Sequence, residues 1–90
     1  MNLDVLKRRL GYLNGDEQTD LLLTDLADEG ERFLKRYCPK LDFDSPTPER
    51  GLLCEYVRYS LSNALDDFVV NYKPELIALS NKGRLISADD

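Results

Sequence analysis

The feature that most constrains the fold is an apolar stripe of helical period over residues 16–38. Gaps of one and three positions separate its members, as on one face of an α-helix. Acidic residues crowd the start of this segment and basic residues its end, which matches the helix dipole. Gly30 inside the stripe costs about 1 kcal/mol against Ala, so we expect another helix to approach closely there. The stripe consists of Leu22, Leu23, Leu26, Ala27, Gly30, Phe33, Leu34, Tyr37 and Cys38.

Further helices are predicted on both sides of this segment. Asn2 is an N-cap for a short helix over 3–13, and the turn signal Asn14-Gly15 follows it. The loop 39–48 holds three of the four prolines. Thr47 then caps a helix over 48–72 that begins with Pro48. This helix is apolar over more than half its circumference, which predicts a central position with packing on two sides.

The chain continues with a short helix over 74–81 between Pro74 and Gly83, and with a tail over 83–90. No segment alternates apolar and polar residues as a half-buried strand would. The sequence therefore predicts a single all-α domain over 1–90. The expected architecture is a long antiparallel helical hairpin with short flanking helices at both ends and an extended C-terminal tail.

Composition argues against several function classes. The net charge is −5 with a pI near 4.6, which disfavours a nucleic-acid reader because phosphate contacts need clustered Lys and Arg. No apolar run approaches the length of a bilayer span. The N-terminal MNLDVLKRRL lacks the apolar stretch of a signal peptide, so we do not expect secretion.

The inventory of chemical groups predicts no catalytic, cofactor or metal site. There is no His. Cys38 and Cys54 are expected to be reduced and buried as small apolar residues, with a disulfide between them as the minority alternative. Asp42 opens a calcium-like loop that lacks the required Gly and Glu. Asp66 and Asp67 point about 100° apart on a helix and do not converge. We therefore expect a protein that is not an enzyme and needs no cofactor.

Candidate interaction residues lie on three segments. A second, narrower stripe on the helix over 48–72 predicts a subunit interface, and Asp67 is expected to pair with a basic residue of a neighbour. The basic run that ends in Arg8 and Arg9 has two interpretations, a complement to the helix dipole or a docking patch for an acidic partner. The apolar tail residues predict either a frayed end or a docking segment. The stripe consists of Leu52, Tyr59 and Val70, and the tail residues are Arg84, Leu85 and Ile86.

The layout resembles the small helical head-tail connector (adaptor) proteins of tailed bacteriophages. The resemblance covers most of the chain, and the run LLLTDLADEGERFLKRYC before the proline-rich loop carries it best. It extends through PERGLLCEYVRYSLSNALDDF and NYKPELIALSNKGRL. Many members have a longer insertion after the long helix, where this chain has only VVNYKP.

The resemblance implies a structural subunit that assembles with itself as a ring beneath the portal. Such a ring extends the DNA channel and provides the platform for head completion and tail attachment. The implied partners are the portal protein and a head-completion (stopper) protein, with duplex DNA passing through without sequence-specific binding and no membrane. Family members engage the portal through their C-terminal segment, which corresponds here to roughly 83–90, with Arg84, Leu85 and Ile86 as the candidate docking residues. The implied location is the host cytoplasm during assembly and then the virion neck.

An alternative follows from the acidic patch on the helix over 16–38. A small acidic helical module, of the inhibitor or antitoxin kind, would use them to bind a basic protein one to one. These residues are Asp16, Glu17, Asp20, Asp25, Asp28, Glu29 and Glu31.

Overall fold

The computed structural model describes residues 1–12 and 15–88, with the side chains of 85–88 outside the description. Within these residues the chain forms five helices and no strand, so the all-α prediction is confirmed. None of the described helices is long and apolar enough to cross a membrane. The helices are α1 (Leu3–Leu10), α2 (Glu17–Lys35), α3 (Pro48–Leu61), α4 (Leu65–Asn71) and α5 (Lys73–Ala88).

The helix starts follow from side chains that cap free backbone N–H groups. The Asn2 side chain accepts hydrogen bonds from the N–H groups of Asp4 and Val5 at 2.8 and 3.3 Å. Thr47 Oγ1 accepts from the Arg50 N–H at 3.3 Å, and Pro48 occupies the first turn of α3. These are the caps that the sequence predicts, because each supplies an oxygen where the helix lacks an acceptor.

The end of α1 differs from the prediction. Gly11 adopts the left-handed conformation with φ of 84°, and its N–H donates to Arg8 O at 3.3 Å. Such a glycine closes a helix because it has no Cβ to clash. The helix therefore ends at Leu10, before the predicted boundary at 13, and Leu13 and Asn14 lie outside the described residues.

The N-terminus is held against α2 and the following loop. The Met1 ammonium lies 3.0 Å from Glu31 Oε1 and 3.3 Å from Asp44 Oδ1. Burial lowers the pKa of this ammonium, but the hydrogen bonds and charges of the two carboxylates outweigh burial and raise the pKa above its ordinary value of 8.0. Lys7 Nζ adds a second link to α2, at 2.9 Å from Asp20 Oδ1.

Helices α2 and α3 pack closely where α2 carries a glycine. An ideal Cβ on Gly30 would lie 2.6 Å from Leu53 Cδ1 and 2.7 Å from Tyr56 Cδ1. The expected close approach of another helix at Gly30 is thus confirmed, and the missing side chain is what allows α3 to lie there.

Helix α3 is central, because its buried side chains belong to two clusters. The first joins α2 and α3 to α4 and α5, and the second joins them to α1. The prediction of packing on two sides is confirmed. The first cluster is Leu34, Cys38, Phe43, Leu52, Leu53, Tyr56, Phe68, Leu76 and Leu79. The second is Leu6, Leu23, Ala27, Cys54 and Val57.

The helix predicted over 48–72 is two helices in the structure. The chain leaves the helical conformation at Ser62, and Asn63 has a φ of 54°. Asn is one of the few residues with a side chain that adopts this left-handed conformation readily. The turn sends α4 back along α3, so that Phe68 becomes fully buried and its ring lies 5.6 Å from that of Tyr56.

The C-terminal segment is also helical rather than extended. Residues 83–88, predicted as a tail, continue α5, which runs to Ala88. Gly83 does not end the helix. It is buried, and an ideal Cβ on it would lie 2.6 Å from the Tyr37 carbonyl oxygen and 3.3 Å from Cys38 Cα. Gly83 is therefore required for packing against the turn that follows α2, a role that the sequence alone does not distinguish from helix termination.

Candidate interaction surfaces

The predicted stripe of Leu52, Tyr59 and Val70 does not form one exposed surface. Leu52 is 8% exposed and belongs to the first core cluster, whereas Val70 is 72% exposed on α4. Tyr59 is half-buried. The prediction of this stripe required one continuous helix over 48–72. The turn after α3 breaks that helix, so the three residues do not share one face. Of the three residues, Val70 is the one that the structure leaves available to a partner.

Tyr59 holds α4 against α3. Its ring centroid lies 5.7 Å from that of Phe68 and 6.0 Å from that of Tyr72, both in edge-to-face geometry. Its hydroxyl accepts a hydrogen bond from Asn71 Nδ2 at 3.1 Å. Aromatic pairs of this geometry contribute about 0.5–1.5 kcal/mol each beyond area burial. The interactions of Tyr59 described here are thus within the subunit.

Asp67 is exposed in the first turn of α4. The N-cap residue Ala64 makes no side-chain hydrogen bond to the free N–H groups of this helix. Negative charge is favoured at a helix N-terminus, so Asp66 and Asp67 compensate for the missing cap. The pairing of Asp67 with a neighbouring subunit stays a prediction.

An open apolar depression lies beside Val70, and we call it the α4–α5 groove. Three of its side chains are well exposed: Val69 at 41%, Val70 at 72% and Ile77 at 51%. Lys73, also exposed, supplies its positive charge. Large apolar side chains in contact with one another and with solvent mark an interaction site more often than isolated ones do. The groove is lined by Tyr37, Val69, Val70, Lys73, Leu76 and Ile77.

A second apolar patch lies on α2. Leu21 is 60% exposed and Leu22 is 48% exposed. The spacing of apolar residues predicts that Leu22 belongs to the core stripe. In the structure the buried side of α2 is instead formed by Leu23, Ala27, Gly30 and Leu34. Three consecutive leucines span about 200° around a helix, a signal that one or two of them must face outward. Together with Gln18 and Asp25, which are exposed at the adjoining helical positions, these leucines form what we call the α2 ridge.

Charge changes sign along the exposed side of α2. Asp25 is exposed near its start, whereas Arg32 and Arg36 are exposed near its end. The two arginines line a shallow depression with Glu29, Phe33 and Tyr56. This depression adjoins the α4–α5 groove through the rings of Phe33 and Tyr37, whose centroids are 5.6 Å apart. The border of the groove is thus positively charged on the side of Lys73 and Arg36, and the ridge has a negatively charged border. On α4 the exposed Asp66 and Asp67 lie one helical turn before Val69 and Val70, so that side of the groove is negative.

Arg8 and Arg9 are exposed at the end of α1. Arg8 Nε donates to the Asp4 carbonyl oxygen at 3.4 Å, and the Arg9 carbonyl oxygen accepts from Arg58 Nη2 at 3.0 Å. The bond from Arg58 satisfies a carbonyl group near the helix end, where cations are favoured, whereas Asp4 lies in the first turn of α1. Docking of an acidic partner to Arg8 and Arg9 stays a prediction.

The predicted portal-docking residues lie on α5. Arg84 is exposed. Leu85 and Ile86 belong to the helix by their backbone, but their side chains lie outside the described residues. The docking role of the three therefore stays a prediction, now for a helical segment.

The acidic loop before α3 has a structural role. The Asp42 carboxylate accepts hydrogen bonds from Ser45 and from the Asp44 N–H, and these bonds lower its pKa. Glu49, which the sequence analysis did not single out, is 4% exposed. Its Oε2 accepts from the Asp42 N–H at 3.3 Å and lies 3.4 Å from Lys82 Nζ, so it connects the loop to α5. Among the described residues, no group of three His, Cys, Asp or Glu side chains is placed to hold a metal ion.

The two cysteines are free and buried, as the majority interpretation predicts. Cys38 lies in the first core cluster and Cys54 in the second, both with no exposed surface. Burial raises the pKa of the Cys54 thiol. A buried thiol of raised pKa is a poor nucleophile, so Cys54 functions as an apolar core residue.

Comparisons with known proteins return no relatives. No model of a known protein family matches the chain, and neither a curated protein nor a solved structure is similar to it.

Proposed function

We propose that this chain is a structural subunit of a phage head-tail connector, which assembles as a ring beneath the portal and extends the DNA channel. In this proposal α2 and α3 form the antiparallel helical hairpin that gives the subunit its rigid body. The C-terminal part of α5, including Arg84, Leu85 and Ile86, engages the portal. The head-completion protein binds the other side of the ring.

The observation that carries the proposal is the presence of two different apolar patches on one small chain. A ring needs a heterologous interface, in which one surface of a subunit meets a different surface of the next. The α2 ridge and the α4–α5 groove are two such surfaces, and they lie on different helices. The sequence resemblance to connector proteins supplies the biological setting.

Light scattering coupled to size exclusion, followed by negative-stain microscopy of any large species, tests this function. We expect closed rings of about a dozen subunits, either from the chain alone or on addition of a portal ring. If the chain neither forms rings nor binds a portal ring of the same phage, the connector proposal is wrong.

A second candidate is the acidic regulatory module that binds one basic protein. The exposed carboxylates of α2, among them Asp25 and Asp28, favour it because they give the helix a negative patch. This function predicts a one-to-one complex and no ring. The same scattering experiment separates the two, since a closed homomeric ring contradicts a one-to-one module.

A further inference from the structure

We propose that the α2 ridge of one subunit docks into the α4–α5 groove of another copy of this chain. This inference rests on the proposed function and specifies the subunit contact within it. It replaces the predicted stripe of Leu52, Tyr59 and Val70, because Leu52 is buried in the core and Tyr59 packs within the subunit.

Both surfaces are apolar, and one is a helix face whereas the other is a depression. The ridge presents Leu21 and Leu22 on the exposed side of α2, a helix of 19 residues. The groove is a depression between two helices, with Val69, Val70 and Ile77 around it. Insertion of leucines between these side chains removes apolar area from water on both subunits, which is the main favourable contribution to association.

The charges at the borders select this pairing over contact of either patch with its own copy. Asp25 adjoins the leucines of the ridge, whereas Lys73 lies in the groove and Arg36 lies beside it. Contact of the ridge with the Lys73 side of the groove, away from Asp66 and Asp67, therefore brings opposite charges together. A contact between two ridges would bring two copies of Asp25 together, and a contact between two grooves would bring two copies of Lys73 together. Both contacts place like charges side by side, which is unfavourable.

The shape of the molecule is compatible with a repeating contact. The chain exposes 5895 Å², against about 5,400 Å² expected for a compact monomer of its mass. The molecule is elongated, at 44 × 25 × 17 Å. Because ridge and groove are different surfaces, each subunit keeps one of them free after a single contact, and the contact can repeat until a ring closes.

Single substitutions test the contact without disturbing the core. Leu22→Asp places a charge on the ridge, and Val70→Asp places one in the groove. Each should raise the Kd of self-association by at least about tenfold, measured by scattering over a concentration series. Ala78→Asp is the matched control, because Ala78 is exposed on α5 outside the groove. Circular dichroism checks that all variants keep their helix content.

A mixing experiment tests the direction of the contact. Leu22→Asp retains an intact groove, and Val70→Asp retains an intact ridge, so equal amounts should give a one-to-one dimer while each alone is monomeric. A charge exchange adds a second test. Asp25→Lys and Lys73→Glu should each weaken association, and the double variant should recover part of the loss.

The outcomes separate this inference from the connector function. Wild-type rings that persist in both Leu22→Asp and Val70→Asp would overturn the contact and leave the function standing. A wild-type chain that stays monomeric to about millimolar concentration would overturn the contact, and binding to a portal ring would then decide the function independently. A wild-type dimer that both substitutions dissociate would support the contact and count against the ring.

Discussion

Gly83→Ala is expected to destabilise the protein, although the same change stabilises an ordinary helix. The glycine lies within α5, where alanine would gain about 1 kcal/mol of helix propensity. The added Cβ would lie 2.6 Å from the Tyr37 carbonyl oxygen, well inside contact distance. Because the obstacle is backbone rather than a flexible side chain, α5 or the turn after α2 must move.

The size of the effect follows from two opposing contributions. Overpacking of this kind costs about 1–3 kcal/mol, and the gain in helix propensity offsets about 1 kcal/mol of it. We therefore expect Gly83→Ala to lower the free energy of unfolding by about 0–2 kcal/mol.

Gly51→Ala is the matched control. Gly51 is also helical, but an ideal Cβ on it would meet only Arg9 Nη2, at 3.5 Å. This substitution should stabilise by about 1 kcal/mol. The two variants should then differ by about 1–3 kcal/mol, or at least about 4 °C in Tm for a domain of this size. Thermal and urea denaturation followed by circular dichroism measures both, and a Gly83→Ala variant that melts as high as Gly51→Ala would refute the packing of α5 against Tyr37 and Cys38.

Three further predictions concern the core and the N-terminus. Phe68→Ala should cost about 3–5 kcal/mol in urea denaturation, because Phe68 is fully buried among other aromatic rings; a cost below about 1 kcal/mol would contradict the return of α4 along α3. The Cys54 thiol should react with a thiol reagent only as fast as the protein opens, because it is buried and burial raises its pKa; rapid reaction in native buffer would contradict its burial. In a chain that begins at Met1, the ion pairs with Glu31 and Asp44 raise the pKa of the Met1 ammonium. The stabilisation from these ion pairs is therefore full below pH 8.0 and falls as pH rises through the raised pKa. An N-terminally acetylated chain should lack this decline in stability, and identical pH profiles of the two chains would refute the role of the ion pairs.

The sequence predicts those parts of the fold that depend on neighbouring residues. Asn2, Thr47 and Pro48 start helices where expected, because a cap acts on N–H groups within three positions. Gly30 marks a close helix contact, since a glycine in an apolar stripe has few other roles. Helix class and the central position of α3 follow from periodicity alone.

The errors arise where a residue type permits two structures. Residue 63 is neither Gly nor Pro, the residue types that commonly mark the end of a helix in a sequence. The left-handed conformation of Asn63 nevertheless ends a helix that periodicity extends to 72. Gly83 serves equally well as a helix terminator or as a packing site, and only the position of Tyr37 decides between them. Leu22 fits a core stripe by spacing, but Leu23 takes the inward position.

The turn at Asn63 explains why the candidate site was harder to predict than the helices. Had α3 continued straight, Val70 would lie about 14 Å beyond Leu61 along the axis, at 1.5 Å per residue. The turn instead buries Phe68 against α3 and leaves Val69 and Val70 facing solvent beside Ile77 of α5. A surface formed by two helices has no single period in the sequence, so helical periodicity does not predict it. The turn that completes the core is thus also what assembles the groove, and a substitution that straightened it would remove both together.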